Sequence, residues 1–196
     1  MKQQFIQLLR STNRQGIENV INWLEESDFF TAPASTMFHG NYPGGLLEHS
    51  MNVAIMAHEV HEMLCKHKPE LAEQVTRDNI IIAALLHDIC KANIYQTVTK
   101  YRKDQNNAWE TYDTYSVDYS EFPVGHGEKS VIRLLQLGLQ LTNDEILAIR
   151  WHMTAWELPF QSAEAKGYLN AAKNKCPLLT IIQTADGLAS AILENK

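Results

Sequence analysis

Long hydrophobic runs are missing from this chain of 196 residues. None approaches the roughly 18 consecutive apolar residues that a membrane-crossing helix needs. The opening Met1-Lys2-Gln3-Gln4-Phe5 likewise lacks the apolar stretch of a secretory signal. The expectation is a cytoplasmic protein with no membrane partner. Cysteine is also scarce. Cys65, Cys90 and Cys176 stand far apart, odd in number and in no Cys-x-x-Cys pair, which argues against a disulfide framework or a zinc ribbon and leaves three reduced, small apolar side chains. Positive charge is in deficit, 17 Lys and Arg against 23 Asp and Glu for a net charge of −6. Phosphate-backbone binding depends on clustered Lys and Arg, so no extended nucleic-acid surface is expected. A small anionic substrate is compatible with the acidic balance, because bound cations reverse a local field. Repeats, low-complexity tracts and linkers are absent too. With 45% hydrophobic residues, the chain reads as one domain, residues 1–196, long enough to bury a core.

What is there is mostly helical pattern. Ile17, Val20, Ile21 and Leu24 recur at helical spacing, as do Leu47, Met51, Ala54 and Ile55 and then Ile80 to Leu86. Further helices are predicted at about 128–137, 143–152, 162–174 and 178–193. Thr142 and Glu145 have the spacing of a capping box, and Pro177 suits the first position of the last helix. Two segments break the pattern. Residues 31–45 hold two prolines and three glycines ahead of a helix start and read as a structured loop that can wall a site. Tyr95 to Tyr115 is rich in Tyr, Thr, Val and Trp around Asp104-Gln105-Asn106-Asn107, the pattern of a hairpin inserted between helices.

The chemistry sits where apolar pattern meets costly polar residues. The run Ile80-Ile81-Ile82-Ala83-Ala84-Leu85-Leu86 ends in His87-Asp88, and polar groups at the edge of a core need compensation. A metal ion compensates them, since imidazole and carboxylate both bind Zn, Fe and Mn class ions. For the dipeptide alone, a buried His–Asp hydrogen bond or a helix C-cap is the simpler reading. The balance changes with His49 after Gly44-Gly45-Leu46-Leu47-Glu48, His126 in Gly125-His126-Gly127-Glu128, His152 after Arg150-Trp151, and Asp186 in an otherwise apolar stretch. Six candidate donors on five helical segments can meet only at the centre of a bundle, where helical proteins build metal sites from inward-facing side chains.

The ordered set His49, His87-Asp88, His126, His152 and Asp186 resembles the HD superfamily of metal-dependent phosphohydrolases, in particular its members with two additional histidines before the final Asp. The contexts Gly-Gly-Leu-Leu-Glu-His-Ser and Leu-Leu-His-Asp-Ile-x-Lys carry the same resemblance, over about residues 41–192. It implies an all-α HD-domain bundle with a small β-hairpin around residues 95–115 and N-terminal helices within 1–30 packed on the core. It further implies two divalent ions per chain, of Fe, Mn, Zn, Co or Ni. One would be held by His49, His87, Asp88 and Asp186, and Asp88 would bridge to a second held by His126 and His152. A carboxylate can join ions about 3.5–4 Å apart, a spacing suited to clamping a displaced phosphate, with an acidified water as nucleophile. Asp88, Lys91 and His39 are thus the expected catalytic residues. Lys91, three residues beyond the HD pair, and the loop residues His39 and Tyr42 are the expected substrate contacts. The chain departs from the usual motif at Cys90, where the family has Gly, a change expected to alter packing rather than ligation.

The function implied is hydrolysis of a phosphate ester in a nucleotide, short oligonucleotide or similar small metabolite. The glycine and HD contexts also resemble those of 3′-to-5′ exoribonucleases, whose additional N-terminal nucleic-acid-binding domain the region before Thr31 is too short to supply. The same donor set resembles di-iron HD oxygenases acting on a polyol or phosphonate, and a third reading is a non-catalytic metal and nucleotide sensor. Other charged groups read as surface. His58, His61 and His67 lie among Glu59, Glu62, Lys66 and Lys68; Lys100-Tyr101-Arg102-Lys103 makes a soluble turn; Arg133 and Arg150 pair with acids as readily as with an anion.

Overall fold

A computed structural model describes residues 1–159 and 162–194. Its helices are α1 (Lys2–Ser11), α2 (Ile17–Glu26), α3 (Gly45–Cys65), α4 (Leu71–Gln74), α5 (Arg77–Leu86), α6 (His126–Gln136), α7 (Asn143–Trp151), α8 (Ala163–Lys175) and α9 (Pro177–Leu188), and the strands are β1 (Tyr95–Lys103) and β2 (Trp109–Val117). The architecture is all-α with one small antiparallel hairpin. Among the described residues no single helix is long and apolar enough to cross a membrane.

Local chemistry accounts for most boundaries. In α2 the four apolar residues at helical spacing are all buried. At α7 the Thr142 hydroxyl accepts from the Glu145 amide while the Glu145 carboxylate accepts from the Thr142 amide, the reciprocal cap expected from spacing. A second reciprocal cap, Thr76 with Asn79, starts α5. Pro177 opens α9, where its missing N–H is no loss. The last predicted helix is not uniform: after Leu188 it widens into a π turn, Ala189–Leu193. The hairpin extends from Tyr95↔Val117 to Lys103↔Trp109, and its turn is held by Asp104 Oδ1, which accepts from the Asn106 and Ala108 amides at 2.8 Å each.

α3 and α5 form the middle of the bundle, α3 packing on α5 and α9, and α5 on α1, α7 and α9. The all-round apolar run of α5 follows from that position, since Ile80 through Leu86 are all buried. One buried charge ties the N-terminal region to the bundle. Glu145, fully buried, accepts from Arg14 at 2.6 and 2.8 Å and from Asn79 at 3.0 Å, in addition to its own cap bond. With its lone pairs occupied, that carboxylate avoids the desolvation cost of an unpaired buried charge.

Residues 31–45 form an ordered loop, through bonds from Ala34 N to Gly40 O at 2.9 Å and from Leu46 N to Ala32 O at 3.0 Å. A Cβ at Gly45 would lie 2.0 Å from the Gly40 carbonyl oxygen, so only glycine lets the loop close onto the start of α3. The hairpin leans on this loop through Tyr95 Oη to Ala34 O at 3.2 Å and Thr114 Oγ1 to Thr36 O at 3.3 Å, while Tyr101 and Trp109 at its far end are exposed.

Candidate metal centre

Helix ends deliver the polar residues to one point. His87 caps the C-terminus of α5, and the chain turns at Asp88 (φ −105°, ψ 17°) into a short 3-10 segment that carries Lys91. His152 occupies the equivalent position at the end of α7, His126 is the first residue of α6, His49 lies in the second turn of α3, and Asp186 lies near the end of α9. The approach of α6 to α7 depends on Gly127. A Cβ there would stand 2.3 Å from the Arg150 carbonyl oxygen, so the neighbouring His126 reaches the cluster only because this residue has no side chain.

All six expected donors come together. Asp88 Oδ1 is 2.6 Å from His126 Nε2 and 3.5 Å from His152 Nε2. Its other oxygen is 3.4 Å from His87 Nε2, 3.6 Å from His49 Nε2 and 2.7 Å from Lys91 Nζ. Asp186 Oδ1 is 3.3 Å from His49 Nε2, and the Nε2 atoms of His49 and His87 are themselves 3.3 Å apart. Asp88 thus turns a separate oxygen to each half of the cluster, and Asp186 also lies within reach of His87 and His152.

Each imidazole presents Nε2 inward and has a neighbour at Nδ1. His87 Nδ1 donates to Ala84 O at 2.8 Å and His152 Nδ1 to Ile149 O at 2.7 Å. A carbonyl only accepts, so Nδ1 carries a proton in both rings, which leaves Nε2 as the atom free to offer a lone pair inward to a cation. His49 Nδ1 lies 3.0 Å from Glu194 Oε2, and His126 Nδ1 lies 3.2 Å from Cys90 Sγ. Inward lone pairs this close repel one another unless a cation lies among them, and His152 Nε2 is buried without a hydrogen-bond partner. This donor set of imidazole and carboxylate fits a transition-metal ion. Overlapping groups of three close donors, including His49 with His87 and Asp88, and Asp88 with His126 and His152, bear that out.

The electrostatics agree. Burial opposes ionisation of Asp88, but Lys91, His87 and His126 override it and hold its carboxyl well below the usual range. Burial likewise opposes the Lys91 charge, and Asp88 overrides it, so the ammonium is more firmly protonated than usual. His49 is pushed up to about 9, because the Asp186 and Glu194 carboxylates outweigh burial. A proton on His49 answers the same concentration of negative charge that a metal cation would answer. Burial lowers His152 and keeps it neutral.

A cavity of about 450 Å³ opens on the cluster, lined by His39, Asp88, Lys91, His126, His152 and Asp186 together with Trp156 and Ser190. A second, of about 480 Å³, shares His39 and Ser190 with it and is walled by Met37, Phe38, Asn41, Tyr42 and Glu194. His39 therefore stands between the two. Its ring is 4.7 Å from that of His49, its Nε2 has no partner, and burial together with the His49 and Lys91 charges lowers it to about 4. Tyr42 lies in the second cavity, not beside the donors, and its hydroxyl donates to Glu48 at 2.7 Å.

The Cys90 sulfur packs against the His126 ring, 3.2 Å from its Nδ1. Sequence reasoning missed Glu194, although an acid ending an apolar helix was a signal of the kind that singled out Asp186. The remaining polar residues stay peripheral. His58 is exposed beside Glu62, His61 Nε2 is 3.4 Å from Cys65 Sγ, Arg150 pairs with Glu128 and Glu157, and Arg133 pairs with Glu121.

Comparison with known proteins adds three findings. The family model described as HD domain matches residues 46–191. Over 88 residues the chain is 34% identical to a dihydroneopterin 2′,3′-cyclic phosphate phosphodiesterase of Methanocaldococcus jannaschii, a match covering 45% of this chain and 32% of that protein. No solved structure matches significantly.

Proposed function

The chain belongs to the HD-domain family, and from that premise we propose that it is a metal-dependent phosphohydrolase that cleaves a phosphate ester of a small metabolite such as a nucleotide or a cyclic phosphate. The observation that carries the reading is the convergence of four inward Nε2 atoms on the two oxygens of Asp88. The archaeal relative is named for a 2′,3′-cyclic phosphate phosphodiesterase, which supports a small phosphorylated substrate. The match spans only about a third of that protein, so the substrate itself is part of the proposal.

In this reading His49, His87, Asp88 and Asp186 hold one divalent ion, and Asp88, His126 and His152 hold a second. Bound ions of the Mn, Fe, Zn, Co or Ni class supply Lewis acidity toward a phosphoryl group and lower the pKa of a nearby water. The protein's own residues do the rest. Lys91, pinned to Asp88 at 2.7 Å and facing the cavity, places a fixed positive charge beside the phosphoryl oxygens. Neutral His39 offers its unpartnered Nε2 at the passage between the cavities, where it would meet a leaving oxygen of a substrate spanning both. The phosphoryl group occupies the donor cavity, and the organic part extends toward Phe38, Asn41 and Tyr42. No protein nucleophile is needed.

The test is metal content by mass spectrometry on protein prepared anaerobically without chelator, followed by turnover of cyclic phosphate diesters, nucleoside monophosphates and short RNA. Near two ions per chain with metal-dependent release of a phosphate product is the expected result. Less than one ion after reconstitution defeats the paired centre. Oxygen consumption by the iron-loaded protein, with no hydrolysis, transfers the same donors to the oxygenase reading.

A further inference from the structure

We propose that Glu194 is the positioning residue that makes the His49 side of the centre the tighter metal position. The inference rests on the metal-centre reading and concerns a residue outside the expected donor set. The four Nδ1 partners are unequal: Ala84 and Ile149 contribute neutral carbonyls, Cys90 a sulfur, and Glu194 a carboxylate. Glu194 is buried and lies 3.2 and 3.0 Å from His49 Nδ1 through its two oxygens. Asn52, less than one turn further along α3, donates to Glu194 Oε1 at 3.0 Å and fixes the carboxylate in place. A carboxylate behind a ligating imidazole orients the ring and raises the basicity of its inward nitrogen, and losing such a partner typically costs about 10–100-fold in metal affinity.

The fold contains a device that brings Glu194 there. Eight residues of regular α-helix would turn it about 80° away from Asp186. The π turn at Ala189–Leu193, closed by Glu194 N to Ala189 O at 3.0 Å, takes rotation out of the segment and returns the side chain toward the face of Asp186. The two acids then grip opposite nitrogens of one ring, Asp186 at Nε2 (3.3 Å) and Glu194 at Nδ1 (3.0 Å). The His126 and His152 side has no comparable carboxylate behind it among the described residues, so the position it shares with Asp88 should fill second.

The experiment titrates metal-free protein with Mn(II) and Zn(II) against a chromophoric chelator, for wild type, Glu194→Ala, Glu194→Gln and Asn52→Ala, with circular dichroism melts and Co(II) absorption spectra in parallel. Wild type should bind in two steps. Glu194→Ala should lose about 10–100-fold in the tight step only and shift the Co(II) spectrum. Glu194→Gln, which keeps an acceptor for the Nδ1 proton, should recover much of that loss, and Asn52→Ala should lose a few-fold in the same step. A wild-type tight step in a folded Glu194→Ala protein overturns the assignment, and so does a loss confined to the weak step. If Glu194→Ala fails to fold, wild-type affinity in both Glu194→Gln and Asn52→Ala overturns it. Absence of any binding step in the wild type defeats the metal-centre reading itself, and this assignment with it.

Discussion

The donor cluster and the walls around it are built from different material. The donors stand on helix termini and turns braced by buried residues, with Leu85, Leu86 and Ile149 fully buried beside His87 and His152. The walls include the 31–45 loop, which presents Met37 and Phe38, 70% and 80% exposed, to solvent and is backed by the hairpin through Tyr95 and Thr114. Close packing holds side chains in one geometry, as a centre with several donors requires. A surface loop can change its side chains without disturbing the core. Under the proposed function, this contrast assigns the reaction type to the bundle and the choice of substrate to the loop that walls the cavity.

The sharpest way to break that division is Asp88→Asn. It replaces one of the two carboxylate oxygens that face the two halves, removes the charge, and leaves the Lys91 ammonium facing a neutral amide. Turnover should fall to background, and the metal-free protein should lose about 3–5 kcal/mol in urea denaturation, the cost of stripping a buried charge of its partner. An active variant would end the assignment of Asp88 to both positions.

Gly127→Ala comes next. The added methyl cannot fit 2.3 Å from Arg150 O, so α6 must back away from α7 and take His126 with it. A loss of about 1–3 kcal/mol is expected, together with weakening of the second metal step while the first is kept. Equal weakening of both would show that the two halves of the centre are not separable.

Thr142→Ala tests whether helix stability and donor geometry are distinct properties. It deletes a cap at the end of α7 opposite His152 and should cost about 0.5–2 kcal/mol with unchanged metal stoichiometry. Phe38→Ala should have the smallest effect on stability, within about 0.5 kcal/mol. It should nevertheless raise KM several-fold for a substrate with a large planar group and leave a small chromogenic phosphodiester unaffected. A change in kcat on both substrates would move Phe38 from the wall into the chemistry.

Much of the centre was legible in the sequence because burying polar residues is costly. His87-Asp88 after seven apolar residues and Asp186 inside another apolar stretch announce compensation, and the order of the histidines carries the family resemblance. The helices were legible for a related reason: Ile17, Val20, Ile21 and Leu24, or the Thr142 and Glu145 pair, are local signals. Arg14 with Glu145, Cys90 with His126 and Glu194 with His49 were not legible. Their members are 131, 36 and 145 residues apart, and no local spacing relates such positions. The π turn was equally silent, since Leu188 to Leu193 read as ordinary helix.

By itself, then, the sequence determined the helical class, the inserted hairpin and the set of donor types, because each follows from periodicity, turn chemistry or the cost of burying a polar group. Only the tertiary structure decided which oxygen of Asp88 serves which histidines, that His39 rather than Tyr42 faces the donors, and that Glu194 backs His49. Those relations depend on helix packing and on the rotation of one widened turn, and contacts between distant segments exist only once the chain has folded.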